Sequence, residues 1–126
     1  MPELPKPTQA ELAILNVLWR EGPSTVRRVH ERLTEVQNTG YTTVLKLLQI
    51  MHQKGLVQRD SSSRAHIYEA ALPEEDTRRN LVRELLETAF QGSAKKLVLS
   101  ALSVQTSTPE ELAEIRELIE KLEGES

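Results

Sequence analysis

The chain has 126 residues, which at ~100–200 residues per domain makes one domain or two very small subdomains. Its 28% charged and 38% hydrophobic residues are the balance of a soluble globular protein, and they exclude a disordered one. It has no cysteine, which excludes disulfides, thiolate zinc sites, iron–sulfur clusters and a cysteine nucleophile, and fits a reducing, cytoplasmic setting. No apolar run approaches the ~18 residues needed to cross a bilayer and no signal peptide opens the chain, so membrane insertion is not expected. The net charge of −3 conceals an asymmetry. Residues 1–72 carry nine Lys/Arg against seven Asp/Glu, and residues 73–126 carry seven against twelve. A polyanionic partner would meet the front half.

In chain order, Thr8 and Glu11 have the spacing of a capping box and open a first helix. Leu12, Leu15, Val17, Leu18 and Trp19 give that helix a core face, and Glu21-Gly22-Pro23 breaks it. Ser24 or Thr25 caps a second helix, with Val26, Val29, His30 and Leu33 on one side and Arg27, Arg28, Glu31 and Arg32 on the other. A third helix is expected from about Thr42 to Lys54, with Val44, Leu47, Leu48 and Met51 facing inward and Gly55 closing it. Two strand-like runs, Leu56–Arg59 and Ala65–Glu69, flank the polar turn Asp60–Arg64 and predict a β-hairpin. Three short helices followed by a hairpin make a winged helix-turn-helix.

From Pro73 the pattern changes. Pro73–Phe90 is a strongly charged helix, Gly92-Ser93 interrupts it, and Ala94–Leu102 is short and nearly apolar. Ser107-Thr108-Pro109-Glu110-Glu111 opens a last helix with a cap, a first-turn proline and acids against the dipole. Leu97, Leu99 and Leu102, with the stripe Leu112, Ile115, Leu118, Ile119 and Leu122, exceed what three short helices can bury on one another. Pairing with a second copy is expected. The expected fold class is thus mainly α with a small β-hairpin wing: a winged-helix domain over 1–72, the candidate DNA-binding domain by the third helix described below, and a helical dimerisation region over 73–126.

Catalytic signatures are missing. His30, His52 and His66 fall in three different elements and form no metal-ligand spacing, so no metal site is expected. There is no GxGxxG, no glycine–lysine phosphate loop and no GxSxG. The acidic clusters Glu74-Glu75-Asp76 and Glu110-Glu111 stand at helix starts, where the dipole accounts for them. Neither enzyme activity nor a cofactor is expected.

The third helix carries the functional signal. Away from its core face it presents Thr42, Thr43, Lys46, Gln49, Gln53 and Lys54, and residues 41–55 contain no acid. Hydroxyls, amides and lysines reach base edges and phosphates in a major groove, where an acid would be repelled. An ordinary solvated face usually mixes Glu with Lys. Arg27 and Arg28 on the second helix, and Arg59 and Arg64 in the hairpin, are candidate phosphate anchors on either side.

The sequence also resembles the penicillinase-repressor family, the BlaI/MecI-type winged-helix repressors. The resemblance rests on Thr8, Glu11, Ile14, Leu18 and Trp19, on Gly22 and Thr25-Val26-Arg27, and on Tyr41-Thr42-Thr43-Val44 leading to Lys54-Gly55-Leu56. It continues through Arg64-Ala65-His66-Ile67-Tyr68, Phe90-Gln91-Gly92-Ser93 and Leu97-Val98-Leu99. It implies a homodimer that binds an inverted-repeat operator in double-stranded DNA and represses transcription until a signal triggers proteolysis. Such repressors are often encoded beside a membrane-bound sensor metalloprotease. Thr42, Thr43 and Lys46 would lie in the major groove, and Arg64 would reach the adjacent backbone. The stretch matching the family's cut in the dimer region is Leu97–Leu102, with Ser100-Ala101 where penicillin-responsive members have Asn-Phe. The chain also departs from the family in having Gln49-Ile50 in place of Asn-Arg, and Lys46 in place of Thr. Two rival readings use the same fold: a winged-helix regulator that senses a ligand directly, and a protein–protein adaptor. An adaptor has no need of an acid-free third helix.

Overall fold

The computed structural model describes residues 6–125. Six helices and three short strands follow in the order α1 (Gln9–Glu21), β1 (Ser24–Thr25), α2 (Val26–Leu33), α3 (Tyr41–Lys54), β2 (Val57–Asp60), β3 (Ile67–Ala70), α4 (Glu74–Ala89), α5 (Ala94–Val104) and α6 (Pro109–Glu125). They form two compact units that divide between Val82 and Arg83, inside α4. The winged helix-turn-helix expected from the sequence is present.

Local chemistry fixes the helix ends. The Thr8 hydroxyl accepts the Glu11 N–H at 3.2 Å while the Glu11 carboxylate accepts the Thr8 N–H at 2.8 Å, the reciprocal capping box that starts α1. Gly22, at φ 83°, ends that helix in a conformation that side chains avoid. Of the two candidate caps for α2, Thr25 is the one used; its hydroxyl accepts the Arg28 N–H. α3 starts one residue earlier than expected, at Tyr41, with Gly40 as a cap that offers no side chain. It ends at Gly55, whose φ of 84° lets the Leu56 N–H reach back to the Met51 carbonyl.

The sheet holds one strand more than expected. Ser24-Thr25 pairs antiparallel with β3, giving the order β1-β3-β2 with Ser24 opposite Tyr68 and Arg59 opposite Tyr68 on the other side. Two residues just ahead of a helix show no alternation, so no periodicity announces them. The hairpin strands also start later than expected, at Val57 and Ile67. Leu56 is not in the strand because its N–H is engaged in closing α3.

The core of the first unit is aliphatic. Ile14, Leu15 and Leu18 of α1, Val29 and Leu33 of α2, Val44, Leu48 and Met51 of α3, and Leu56, Val57 and Tyr68 around the sheet are all buried. Leu12, Trp19 and Leu47, expected inside, pack on this cluster while half-buried. The Trp19 indole N–H donates to the Leu72 carbonyl at 3.0 Å, tying α1 to the chain just after the sheet. In the second unit no described residue of α5 or α6 is buried. α5 runs to Val104, two residues beyond the expected end, with the Ser103 hydroxyl bonded back to the Ser100 carbonyl. α6 opens with a second capping box, between Thr108 and Glu111.

Candidate nucleic-acid interface

α3 turns four polar side chains outward on one line. Residues 42, 46, 49 and 53 are spaced by four, three and four, which stacks them along a single side of the helix. Thr42, Lys46, Gln49 and Gln53 are all exposed, and none makes a side-chain hydrogen bond to another described residue. Thr43 is exposed beside this line. No acid interrupts it. The arrangement leaves two amides, a hydroxyl and an ammonium with their bonding capacity unspent.

The candidate phosphate anchors divide into two groups. Arg27, Lys46, Arg59 and Arg64 form no ion pair among the described residues. Arg28 is engaged: its guanidinium donates to the Glu21 carboxylate at 2.9 Å, and Arg32 donates to the same oxygen at 3.1 Å. Burial raises the Glu21 carboxyl, but Arg32 and then Arg28 outweigh it and hold the group below its usual range. Lys54 is engaged more firmly, its ammonium lying 2.6 Å from the Glu11 carboxylate. On the helical wheel Lys54 stands roughly 100° round from Gln53, on the flank nearest the core.

Two free cations share a hollow. A concavity of about 500 Å³ lies between the start of α2, one side of α3 and the wing. Arg27, Gln49, Arg64 and His66 line it over an apolar floor that includes Val26, Leu45 and Tyr68. Tyr41 closes one side and meets the His30 ring edge-on, with centroids 5.8 Å apart. Tyr41 and His66 were not among the residues expected at the interface. His66 comes beside α3 through the tertiary packing of the wing, which local sequence does not encode. Wing geometry also involves Asp60, whose carboxylate accepts the Ser62 N–H at 2.9 Å and is held low by hydrogen bonds from Ser62. No group of His, Asp or Glu able to hold a metal ion occurs among the described residues. No described helix is long and apolar enough to cross a membrane.

The model of the penicillinase repressor family matches residues 7–121. The chain belongs to that family. Membership places it among DNA-binding transcriptional repressors and agrees with the resemblance carried by the motifs. The transcriptional regulator BlaI of Mycobacterium tuberculosis is 32% identical over 100 residues, covering 79% of this chain and 72% of that one. The methicillin resistance regulatory protein MecI of Mammaliicoccus sciuri is 18% identical over 114 residues, 90% of this chain and 93% of its own. The solution structure of the DNA-binding domain of the repressor BlaI matches with a TM-score of 0.53 at 22% identity, covering 60% of this chain and 93% of that domain. The monomeric form of Bacillus licheniformis BlaI, solved in complex with the blaP half-operator, matches with a TM-score of 0.52 and the same coverage. At that identity these two likenesses establish the winged-helix fold.

Proposed function

We propose that this family member represses transcription as a homodimer on an operator of two inverted half-sites, each read by one α3. The observation that carries this reading is the acid-free outer line of α3 with its unspent donors and acceptors, flanked by the free cations Arg27 and Arg64. Thr42, Thr43, Lys46, Gln49 and Gln53 face base edges. Arg27 and Arg64, which both line the hollow, each take backbone phosphate, and Arg59 follows the wing. A half-site in complex with a winged-helix repressor of the same fold supports the docking surface.

The exposed faces of the second unit support dimerisation. Leu99 is 57% exposed, Leu118 55%, Ile119 48% and Leu122 55%, with Leu102, Leu112 and the half-buried Leu97 and Ile115 beside them on α5 and α6. Helices without a buried residue need a partner to hold their apolar faces out of water. Repression ends by a cut in α5, at or near Ser100-Ala101, made by a membrane-bound sensor metalloprotease. Both residues are helical, and Ser100 is half-buried, so the segment opens before it is cut.

A salt titration of duplex binding tests the DNA reading. A duplex selected by the protein from a random pool should bind with log Kd rising steeply with log salt, by about 0.9 for each phosphate neutralised. Binding with a flat salt dependence, or none, refutes it. Fragment masses after induction, with the neighbouring protease present, test the cut.

A further inference from the structure

We infer that Lys54 and Glu11 form a latch that fixes how α3 is presented to DNA, which makes Lys54 a positioning residue and not a phosphate contact. The inference rests on α3 being the DNA-facing helix. Lys54 is the last residue of α3, and Glu11 lies in the first turn of α1, 43 positions away. The Glu11 side chain is 2% exposed. A single carboxylate oxygen, Oε1, accepts the Thr8 N–H at 2.8 Å and the Lys54 ammonium at 2.6 Å. One atom therefore serves both the start of α1 and the end of α3.

This pair does something the core cannot. Val44, Leu48 and Met51 hold α3 against α1 and α2 through apolar contact, which has little directional preference. A charge-assisted hydrogen bond is directional. Rotating α3 by about 20° would move the outer side-chain atoms by roughly 2 Å, enough to lose hydrogen-bond register with base edges. It would also draw Lys54 off Glu11 and strand a buried carboxylate without its cation, the costly way to break such a pair. For the same reason Lys54 cannot leave to meet a phosphate without exacting that penalty. Arg27, Lys46, Arg59 and Arg64 face no such restraint. Burial raises the Glu11 carboxyl, yet Lys54 and Thr8 together hold it below the usual range, as expected of an anion that keeps its partners.

The test compares Lys54→Met, Glu11→Gln, the double variant and Lys54→Arg with the wild type. The probes are a duplex selected from a random pool by the wild-type protein and a scrambled duplex of equal length and composition. Both single variants should lower the preference for the selected duplex by about tenfold, the scale of one misplaced base contact. Their salt slopes should equal that of the wild type, the double variant should be no worse than either single one, and Lys54→Arg should retain most of the preference. A salt slope smaller by about 1 with equal loss on both duplexes would make Lys54 a phosphate contact and overturn the inference. Lower melting temperature with unchanged preference would overturn it too. Should the variants not fold, the Lys54 ammonium resonance of the wild type decides: it should stay in place on saturation with the selected duplex, and a shift to a phosphate-bound position refutes the latch. Absence of wild-type binding to any duplex would instead refute the DNA reading itself.

Discussion

The residues up to Val82 and those from Arg83 onward treat their aliphatic side chains in opposite ways. In the first unit, α1, α2, α3 and the sheet enclose a cluster in which Ile14, Val29, Val44, Leu48 and Met51 are wholly buried. In the second, α5 and α6 contain no buried described residue, and most of their leucines and isoleucines stand open. Similar aliphatic composition thus serves two ends. Enclosed by three directions of chain, it stabilises a fold. Left on single helices, it is exposed surface, which the proposed dimer would cover. Stability of the first unit should therefore be a property of one chain, and order in the second a property of two.

The sharpest way to break this contrast is Leu118→Asp. A charge placed in an enclosed dimer contact costs several kcal/mol, so sedimentation should show monomers at micromolar concentration. Operator affinity should fall by about 10²–10⁴-fold as joint binding to two half-sites is lost, while the first unit stays folded. A wild-type protein that is itself monomeric at that concentration would refute the second half of the comparison.

Leu48→Ala probes the other side. Removing a wholly buried leucine should cost about 2–5 kcal/mol in denaturant unfolding, and the loss should not depend on protein concentration. Next in size are the contacts to DNA. Lys46→Ala should weaken the selected duplex by about 1–3 kcal/mol and random duplex much less, as befits a base contact. Arg64→Ala should weaken both alike and lower the salt slope by about 1. Equal loss from Lys46→Ala on both duplexes would reassign that lysine to the backbone.

The smallest effect is that of acid. The folded pKa of Glu11 lies below its unfolded value, so between the two the unfolded chain binds the extra proton. The contribution of this group is fully present above the ordinary glutamate pKa and is lost as pH falls through the lowered one. Urea unfolding in a pH series should show a steeper acid limb for wild type than for Glu11→Gln. Equal limbs would mean that Lys54 and Thr8 do not hold the carboxylate in solution.

What was legible in the sequence was local or periodic. Thr8 and Glu11 announce a helix start because the two residues satisfy each other three positions apart. Gly55 announces a helix end because φ of 84° suits it alone. The core positions of α3 follow from spacing, and the absence of acids from its outer face can be seen without coordinates. What the sequence hid was tertiary. β1 exists only because Ser24 and Thr25 meet Tyr68 and Ile67 from a distant stretch. Glu11 could be recognised as half of a capping box but not as the partner of Lys54, since nothing at either end encodes the other. From the sequence alone, Lys54 therefore groups with the DNA-facing residues. The spacing from Gln53 was the available sign that it stands on a different side of the helix.

The bareness of the outer line of α3 has an evolutionary consequence. Thr42, Lys46, Gln49 and Gln53 support nothing inside their own protein; the helix is held by Val44, Leu48 and Met51 on its other side. Replacing any of the four leaves the fold almost untouched, because exposed substitutions away from such supports usually change stability by no more than about 0.5 kcal/mol. On the proposed reading of α3, the operator address and the scaffold are therefore separately mutable. A duplicated copy of this chain can drift to a new operator one residue at a time without passing through an unfolded intermediate, so a single scaffold can supply a genome with many regulators that do not answer to one another's sites.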